Sequence, residues 1–241
     1  MSRLNKLYYQ VTKLGEGLLS IPFPKRCFIC HSDLAFQQKS VCVSCFNNLQ
    51  FTHFERQGKD AYINEIFYGR VYLNLVLSLL YFKQNSSTQN ILHQIKYKGA
   101  KELGVYMGQL MAKRWKNSPK YEKFDLIIPV SLHEKKHFKR GYNQSKVIAE
   151  GISMELDIPI IENVLLKQRH NSSQTKKSRL DRIANVSKVF DVQNTHLIAG
   201  KHIVLVDDVL TTGATLEACS IALKAACPDV QISLYTLAYA K

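Results

Sequence analysis

The chain has 241 residues, 46% of them hydrophobic, and carries 33 Lys and Arg against 19 Asp and Glu, a formal net charge of +14. That length suits one good-sized domain with an appendage, and that composition buries a core. The longest apolar run, Leu73 to Phe82 with Asn74 and Ser78 inside it, falls far short of the ~20 residues of a membrane-spanning helix, while the charge argues for a polyanionic partner, nucleic acid ahead of an anionic membrane surface or of solubility alone.

Residues 1 to 24 read as a helix that ends in the turn Ile21-Pro22-Phe23-Pro24. Leu4, Leu7, Tyr8, Val11, Leu14 and Leu18 recur at helical spacing, with Arg3, Lys6 and Lys13 between them. Such a stripe fits a helix docked on its own protein, or a basic helix lying in an interface. It lacks the apolar region and cleavage site of a signal peptide, so a cytoplasmic chain is expected.

A Cys-rich module follows, to about residue 55. Cys27-x2-Cys30-x11-Cys42-x2-Cys45 has the spacing of two metal-binding turns. Two thiolates from each turn can converge on one tetrahedral ion, and soft sulfur ligands favour zinc. Four thiolates leave no open position, so the site is expected to be structural. His31 or His53 could replace one thiolate. A redox dithiol fits less well, because the thioredoxin-like pair follows a strand and starts a helix. Disulfides are not expected in a reducing compartment.

The type of residues 60 to 82 is not settled by their pattern. Residues 83 to 90 are polar and read as a turn or helix start. Leu103 to Trp115 is a predicted helix, with Leu103, Met107, Leu110 and Met111 on one face. Strand and helix then alternate: strand Phe124 to Val130, helix Asn143 to Leu156, an apolar strand region Ile158 to Leu166, a loop Arg169 to Arg179, strand Lys201 to Val206, helix Leu216 to Ala226 and strand Val230 to Ala238. This order predicts an α/β domain with a parallel sheet flanked by helices. The domains are expected at 1–55 and 56–241. Cys219 and Cys227 read as small buried apolar residues.

Three stretches mix cations with aromatics. Lys96-Tyr97-Lys98-Gly99 is one, although Tyr97 also suits a core. Between Pro129 and Lys146 lie Lys135, Lys136, Lys139, Arg140 and Lys146 against Glu134. Between Lys167 and Lys188 lie Lys167, Arg169, Lys176, Lys177, Arg179, Arg182 and Lys188 against Asp181. Phe138 and Tyr142 among the cations favour single-stranded nucleic acid, whose bases stack and whose phosphates pair. The alternative is a solvated basic surface. Candidate nucleic-acid contacts are Lys96, Lys98, Lys135, Lys136, Lys139, Arg140, Arg169, Lys176, Lys177 and Arg179.

The most informative run is Ile203-Val204-Leu205-Val206-Asp207-Asp208-Val209-Leu210-Thr211-Thr212-Gly213-Ala214-Thr215. Four apolar residues predict a buried strand, and ligands of parallel sheets bind at the carboxyl ends of strands. The loop then opens a helix, whose free N–H groups and positive dipole end bind phosphate. Gly213 permits backbone geometry closed to other residues, and Thr211, Thr212 and Thr215 add hydroxyl donors. Asp207 and Asp208 can accept from vicinal ribose hydroxyls, directly or through Mg²⁺. A ribose 5-phosphate ester meets all of these features.

This run resembles the phosphoribosyl pyrophosphate motif of type I phosphoribosyltransferases. The resemblance implies that Asp207 and Asp208 hold the ribose, with Thr211, Thr212, Gly213, Ala214 and Thr215 around the 5-phosphate. It also implies a pyrophosphate loop from Val130 and Ser131 to Leu132, Mg²⁺ accompanying the ligand, and a lid over Lys167 to Lys188. Other stretches narrow the match: Leu18-Leu19 and Phe23-Pro24 before Cys27, both Cys pairs, Lys96-Tyr97-Lys98-Gly99, Ile128-Pro129-Val130-x-Leu132-His133, Arg140-Gly141-Tyr142-Asn143-Gln144-Ser145, Gln174-Thr175, Arg182-x-x-Asn185 and Phe190. In this order they resemble the ComF (ComFC) family of competence proteins. Ser131 departs from the family's usual Pro, and Arg169 to Gln174 is looser than its usual Arg-to-Pro-Gln pattern.

That resemblance implies a type I phosphoribosyltransferase fold behind an N-terminal, zinc-ribbon-like module of four cysteines. It further implies handling of single-stranded DNA in the cytoplasm during natural transformation, beside uptake machinery at the inner membrane. The alternative is an active, Mg²⁺-dependent phosphoribosyltransferase acting on a nitrogen nucleophile, with Asp207 and Asp208 as catalytic residues.

Overall fold

The computed structural model describes residues 25–35, 37–132, 138, 140–167 and 189–241. The helix expected over residues 1 to 24 and the loop expected from Arg169 to Arg179 lie outside the described residues. The chain divides into two compact units, Met1–Asn48 and Leu49–Lys241.

In the first unit the backbone turns twice. An antiparallel bridge joins Arg26 to Asp33. Inside it, Cys27 N–H donates to the Ser32 carbonyl at 2.8 Å, and His31 N–H donates to the Cys27 carbonyl at 2.9 Å. The second turn opens helix α1, Val43–Asn47, at whose N-cap the Cys42 sulfur accepts from Cys45 N–H.

In the second unit the strands are β1 Leu75–Tyr81, β2 Leu126–Pro129, β3 Leu165–Lys167, β4 Phe190–Val192, β5 His202–Leu210 and β6 Gln231–Tyr239. A four-stranded sheet runs in the order β1-β6-β5-β2, with every neighbouring pair parallel. Near-continuous apolar runs suit strands covered on both faces. All but the last residue of β1 and all but the first of β6 are buried. The outer edge of β1 is covered as well. Thr52 N–H donates to the Leu79 carbonyl at 3.0 Å and Tyr81 N–H to the Gln50 carbonyl at 2.8 Å, while the Asn64 side-chain oxygen takes Val76 N–H at 2.8 Å. Such cover blunts pairing with foreign strands.

The helices are α2 Phe54–Gln57, α3 Ser87–Tyr97, α4 Lys101–Lys116, α5 Gln144–Leu156 and α6 Ala214–Ala226. Ser86 caps α3 and Asn143 caps α5, each accepting a backbone N–H of the first turn. Helices α4 and α5 meet backbone to backbone. A Cβ on Gly108 would lie 2.0 Å from the Ile148 carbonyl oxygen, and one on Gly151 would lie 2.1 Å from that of Val105. Only residues without side chains permit this approach.

Residues 60 to 82 resolve into a 3-10 helix, Tyr62–Phe67, and strand β1. The strand region expected over Ile158 to Leu166 divides in two. Ile160 makes a single parallel bridge to Ile127 beside β2. Leu165 turns away to pair antiparallel, through β3, with β4. Cys219 and Cys227 are buried, the latter just past the end of α6.

Candidate functional site

The carboxyl edge of the sheet carries the polar residues. In β5, Ile203 to Val206 are completely buried, and the burial breaks at Asp207, Asp208 and Val209. The strand does not end there, as the sequence suggested. Thr236 and Ala238 of β6 stay paired with Asp207 and Val209, and the pairing continues to Leu210, because backbone pairing is indifferent to the side-chain polarity that ended the predicted strand. Both carboxylates therefore project from rigid strand backbone.

Asp207 is held from two sides. The Ser145 hydroxyl donates to its Oδ1 at 2.9 Å, and Asp208 N–H donates to the same oxygen at 2.9 Å. Burial, with the Asp208 carboxylate beside it, pushes the Asp207 pKa up to about 7; those two donors and Lys96 oppose the rise. The Lys96 ammonium stands 2.9 Å from Asp208 Oδ2.

Ser145 is placed by the stretch that precedes it. The Asn143 side-chain amide donates to the Val130 carbonyl at 3.1 Å, and its oxygen accepts Ser145 N–H at 3.0 Å. One asparagine thus ties the loop after β2 to the first turn of α5. On the other side of that loop the Ser131 hydroxyl donates to the Leu165 carbonyl at 2.5 Å. A cavity of about 950 Å³ opens here, lined among others by Ser131, Asn143, Lys146 and Lys167.

After β5 the loop exposes Thr211, Thr212, Ala214 and Thr215, and buries Gly213. Gly213 has φ 78 and caps α6. A Cβ there would lie 2.8 Å from the Phe67 ring, so the position needs glycine twice over. Arg70 braces the loop from outside every motif read in the sequence. Its guanidinium donates to the Thr212 carbonyl at 3.1 Å and pairs with Glu217 in the first turn of α6. Free N–H groups at a helix start beside two carboxylates can hold a phosphate ester that also carries vicinal hydroxyls.

The basic candidates separate. Lys96 faces Asp208, Lys98 is exposed, and Arg140 lies over the Tyr97 ring at 5.4 Å. Tyr97 is 55% exposed, so it is not core, and Phe138 is 94% exposed. Tyr142 corrects the stacking expectation. It is buried, and its hydroxyl donates to the Ile95 carbonyl. Lys135, Lys136, Lys139, Arg169, Lys176, Lys177 and Arg179 lie outside the described residues.

In the first unit the sulfurs of Cys27, Cys30, Cys42 and Cys45 all lie within 4.8 Å of one another. Cys30 and Cys42 sulfurs are 3.7 Å apart. Bonds of about 2.3 Å to a central ion would set tetrahedral sulfurs about 3.8 Å apart. Backbone N–H groups of Ile29 and Cys42 point at the Cys27 sulfur, each at 3.4 Å. Hydrogen bonds from Ser32 lower the Cys30 pKa to about 6, whereas burial raises that of Cys45. Cys27 and Val41 are the buried apolar side chains among this unit's described residues, so little hydrophobic core holds those residues together. The donor set fits a thiophilic metal ion.

A family model described as a phosphoribosyl transferase domain matches residues 143–241. Competence protein F of Haemophilus influenzae is 35% identical over 97 residues, covering 40% of this chain and 42% of that protein. Competence protein ComFC of Bacillus subtilis is 25% identical over 217 residues, covering 90% of this chain and 85% of that protein. The DNA utilization protein YhgH of Escherichia coli K12 is 26% identical over 146 residues, covering 59% and 63%. Among the described residues no helix is long and apolar enough to cross a membrane.

Proposed function

We propose, on the premise that this chain belongs to the ComF family of competence proteins and carries a type I phosphoribosyltransferase domain, that it binds phosphoribosyl pyrophosphate and handles single-stranded DNA in the cytoplasm during DNA uptake. The observation that carries the ligand reading is the placing together of Asp207, held by Ser145, and Asp208 on β5 with the loop Thr211 to Thr215, exposed save for Gly213, at the start of α6. The acid pair takes the ribose hydroxyls and the loop takes the 5-phosphate. Val130 and Ser131 flank the pyrophosphate. Mg²⁺, bound with the ligand, supplies charge neutralisation at the pyrophosphate.

Zinc on Cys27, Cys30, Cys42 and Cys45 ties together the two turns, whose described residues bury little apolar surface, so metal binding and folding of these turns are one event. The DNA reading rests on the net charge of +14, on exposed Lys98 and Phe138, and on the names of the relatives. Backbone phosphates pair with cations and bases stack on the exposed ring.

The test is calorimetric titration of phosphoribosyl pyrophosphate with Mg²⁺ into the wild type and Asp207→Ala/Asp208→Ala. Binding that the double variant loses is expected; no binding by the wild type refutes the ligand reading. Binding of a fluorescent single-stranded oligonucleotide should weaken steeply with salt, since neutralised phosphates release counterions. Salt-insensitive binding refutes the DNA reading. Pyrophosphate release on adding amine-bearing nucleophiles distinguishes an active transferase from a binding protein.

A further inference from the structure

Lys96 is tied into the acid pair in a way that none of the motifs explains. It stands in the last turn of α3, 2.9 Å from Asp208, with the two side chains only 20% and 14% exposed. The turn is anchored without it. Tyr142 holds the Ile95 carbonyl on one side, and the Tyr97 ring meets the Arg140 guanidinium on the other. A lysine used only to secure this turn would be redundant, and a largely buried ion pair contributes little net stability. Nor is Lys96 suited to a DNA phosphate: drawing the ammonium away would leave Asp208 without a donor, and a phosphodiester brings none in its place.

The position of the ammonium suggests another role. In a ribose held by its hydroxyls on Asp207 and Asp208, the C1 oxygen is vicinal to the 2-hydroxyl. With the 2-hydroxyl on Asp208, the ammonium that stands beside that carboxylate is next to the leaving group as well. The flexible four-carbon stem of lysine allows the ammonium to move between two such anions. Ribose hydroxyls arriving at Asp208 replace the hydrogen bond it gives up.

We propose that Lys96 is the residue by which this site distinguishes a pyrophosphorylated ribose from ribose 5-phosphate: it neutralises Asp208 in the empty site and passes to a pyrophosphate oxygen when the ligand binds. This rests on the reading that the acid pair takes phosphoribosyl pyrophosphate. Lys96 then belongs to the ligand site and not to the DNA surface.

Ribose 5-phosphate and phosphoribosyl pyrophosphate, each with Mg²⁺, are titrated calorimetrically into the wild type, Lys96→Gln and Lys96→Arg. The expected result is that Lys96→Gln keeps its ribose 5-phosphate affinity within about twofold and loses roughly 10- to 100-fold for phosphoribosyl pyrophosphate, the worth of one charge-assisted contact. Lys96→Arg should recover most of that loss. Equal loss for both ligands means a structural role and overturns the proposal. Unchanged or tighter pyrophosphate binding means a mere cap and also overturns it, while the ligand reading stands. No binding of either ligand by the wild type removes both. A measurement on the wild type covers the case in which Lys96→Gln does not fold. The Lys96 Cε resonance in ¹³C-lysine-labelled protein should shift with phosphoribosyl pyrophosphate and not with ribose 5-phosphate; equal shifts, or none, overturn the proposal.

Discussion

Replacing Asp207 with Asn should stabilise the ligand-free chain, and only at neutral and alkaline pH. Burial and the neighbouring Asp208 raise the Asp207 carboxyl from its ordinary 3.8 to about 7. The native state therefore holds a proton that the unfolded chain releases, and stability declines as pH rises from about 4 to about 7. Full ionisation would cost about 4 kcal/mol by linkage. Solvent reaches part of the site and screens the pair, so about 2 kcal/mol is the expected net cost. Asn keeps the oxygen that accepts from Ser145 and from Asp208 N–H, while Lys96 remains paired with Asp208. Urea unfolding of both proteins without ligand gives the comparison. The advantage of Asp207→Asn should widen by about 2 kcal/mol from pH 4 to pH 8. A gap that does not change with pH, or that favours the wild type at pH 8, refutes the reasoning. The same substitution should weaken ligand binding, because Asn puts an NH2 donor where Asp207 has its second acceptor oxygen, Oδ1 being already taken by Ser145 and Asp208 N–H.

Gly108→Ala should destabilise by about 3 kcal/mol in urea unfolding, since its Cβ would meet a backbone oxygen at 2.0 Å and force α4 and α5 apart. Gly69→Ala, at φ +69 with open space around it, should cost only about 1 kcal/mol. Arg70→Ala should weaken ribose 5-phosphate binding about tenfold in calorimetry by freeing the Thr212 carbonyl and Glu217; unchanged affinity would mean that the loop needs no brace. Elemental analysis should find a bound metal in the purified wild type and little in Cys45→Ser, and an equal metal content in both would exclude the four-sulfur site.

The parts of this molecule legible in its sequence are those whose chemistry lies in contiguous residues. Ile203 to Thr215 holds strand, acids, turn and helix start in one run, so both the fold and its candidate site show there. The two Cys pairs are legible for the same reason. What stayed hidden depends on contacts across the chain. Arg70 and Thr212 are separated by 142 positions, and nothing around Arg70 distinguishes it from a surface cation. The sequence misleads at Tyr142 because an aromatic beside Arg140 has the composition of a stacking surface, whereas its hydroxyl is spent inside the protein on Ile95. At Lys96 the sequence leaves the partner out. Composition counts a cation as available until its partner is known, and Asp208 is supplied by a strand far along the chain. The net charge of +14 therefore counts a cation that Asp208 already pairs with, and the cations to test first for the proposed DNA contact are those that the fold leaves exposed, with Lys98 first among the described residues.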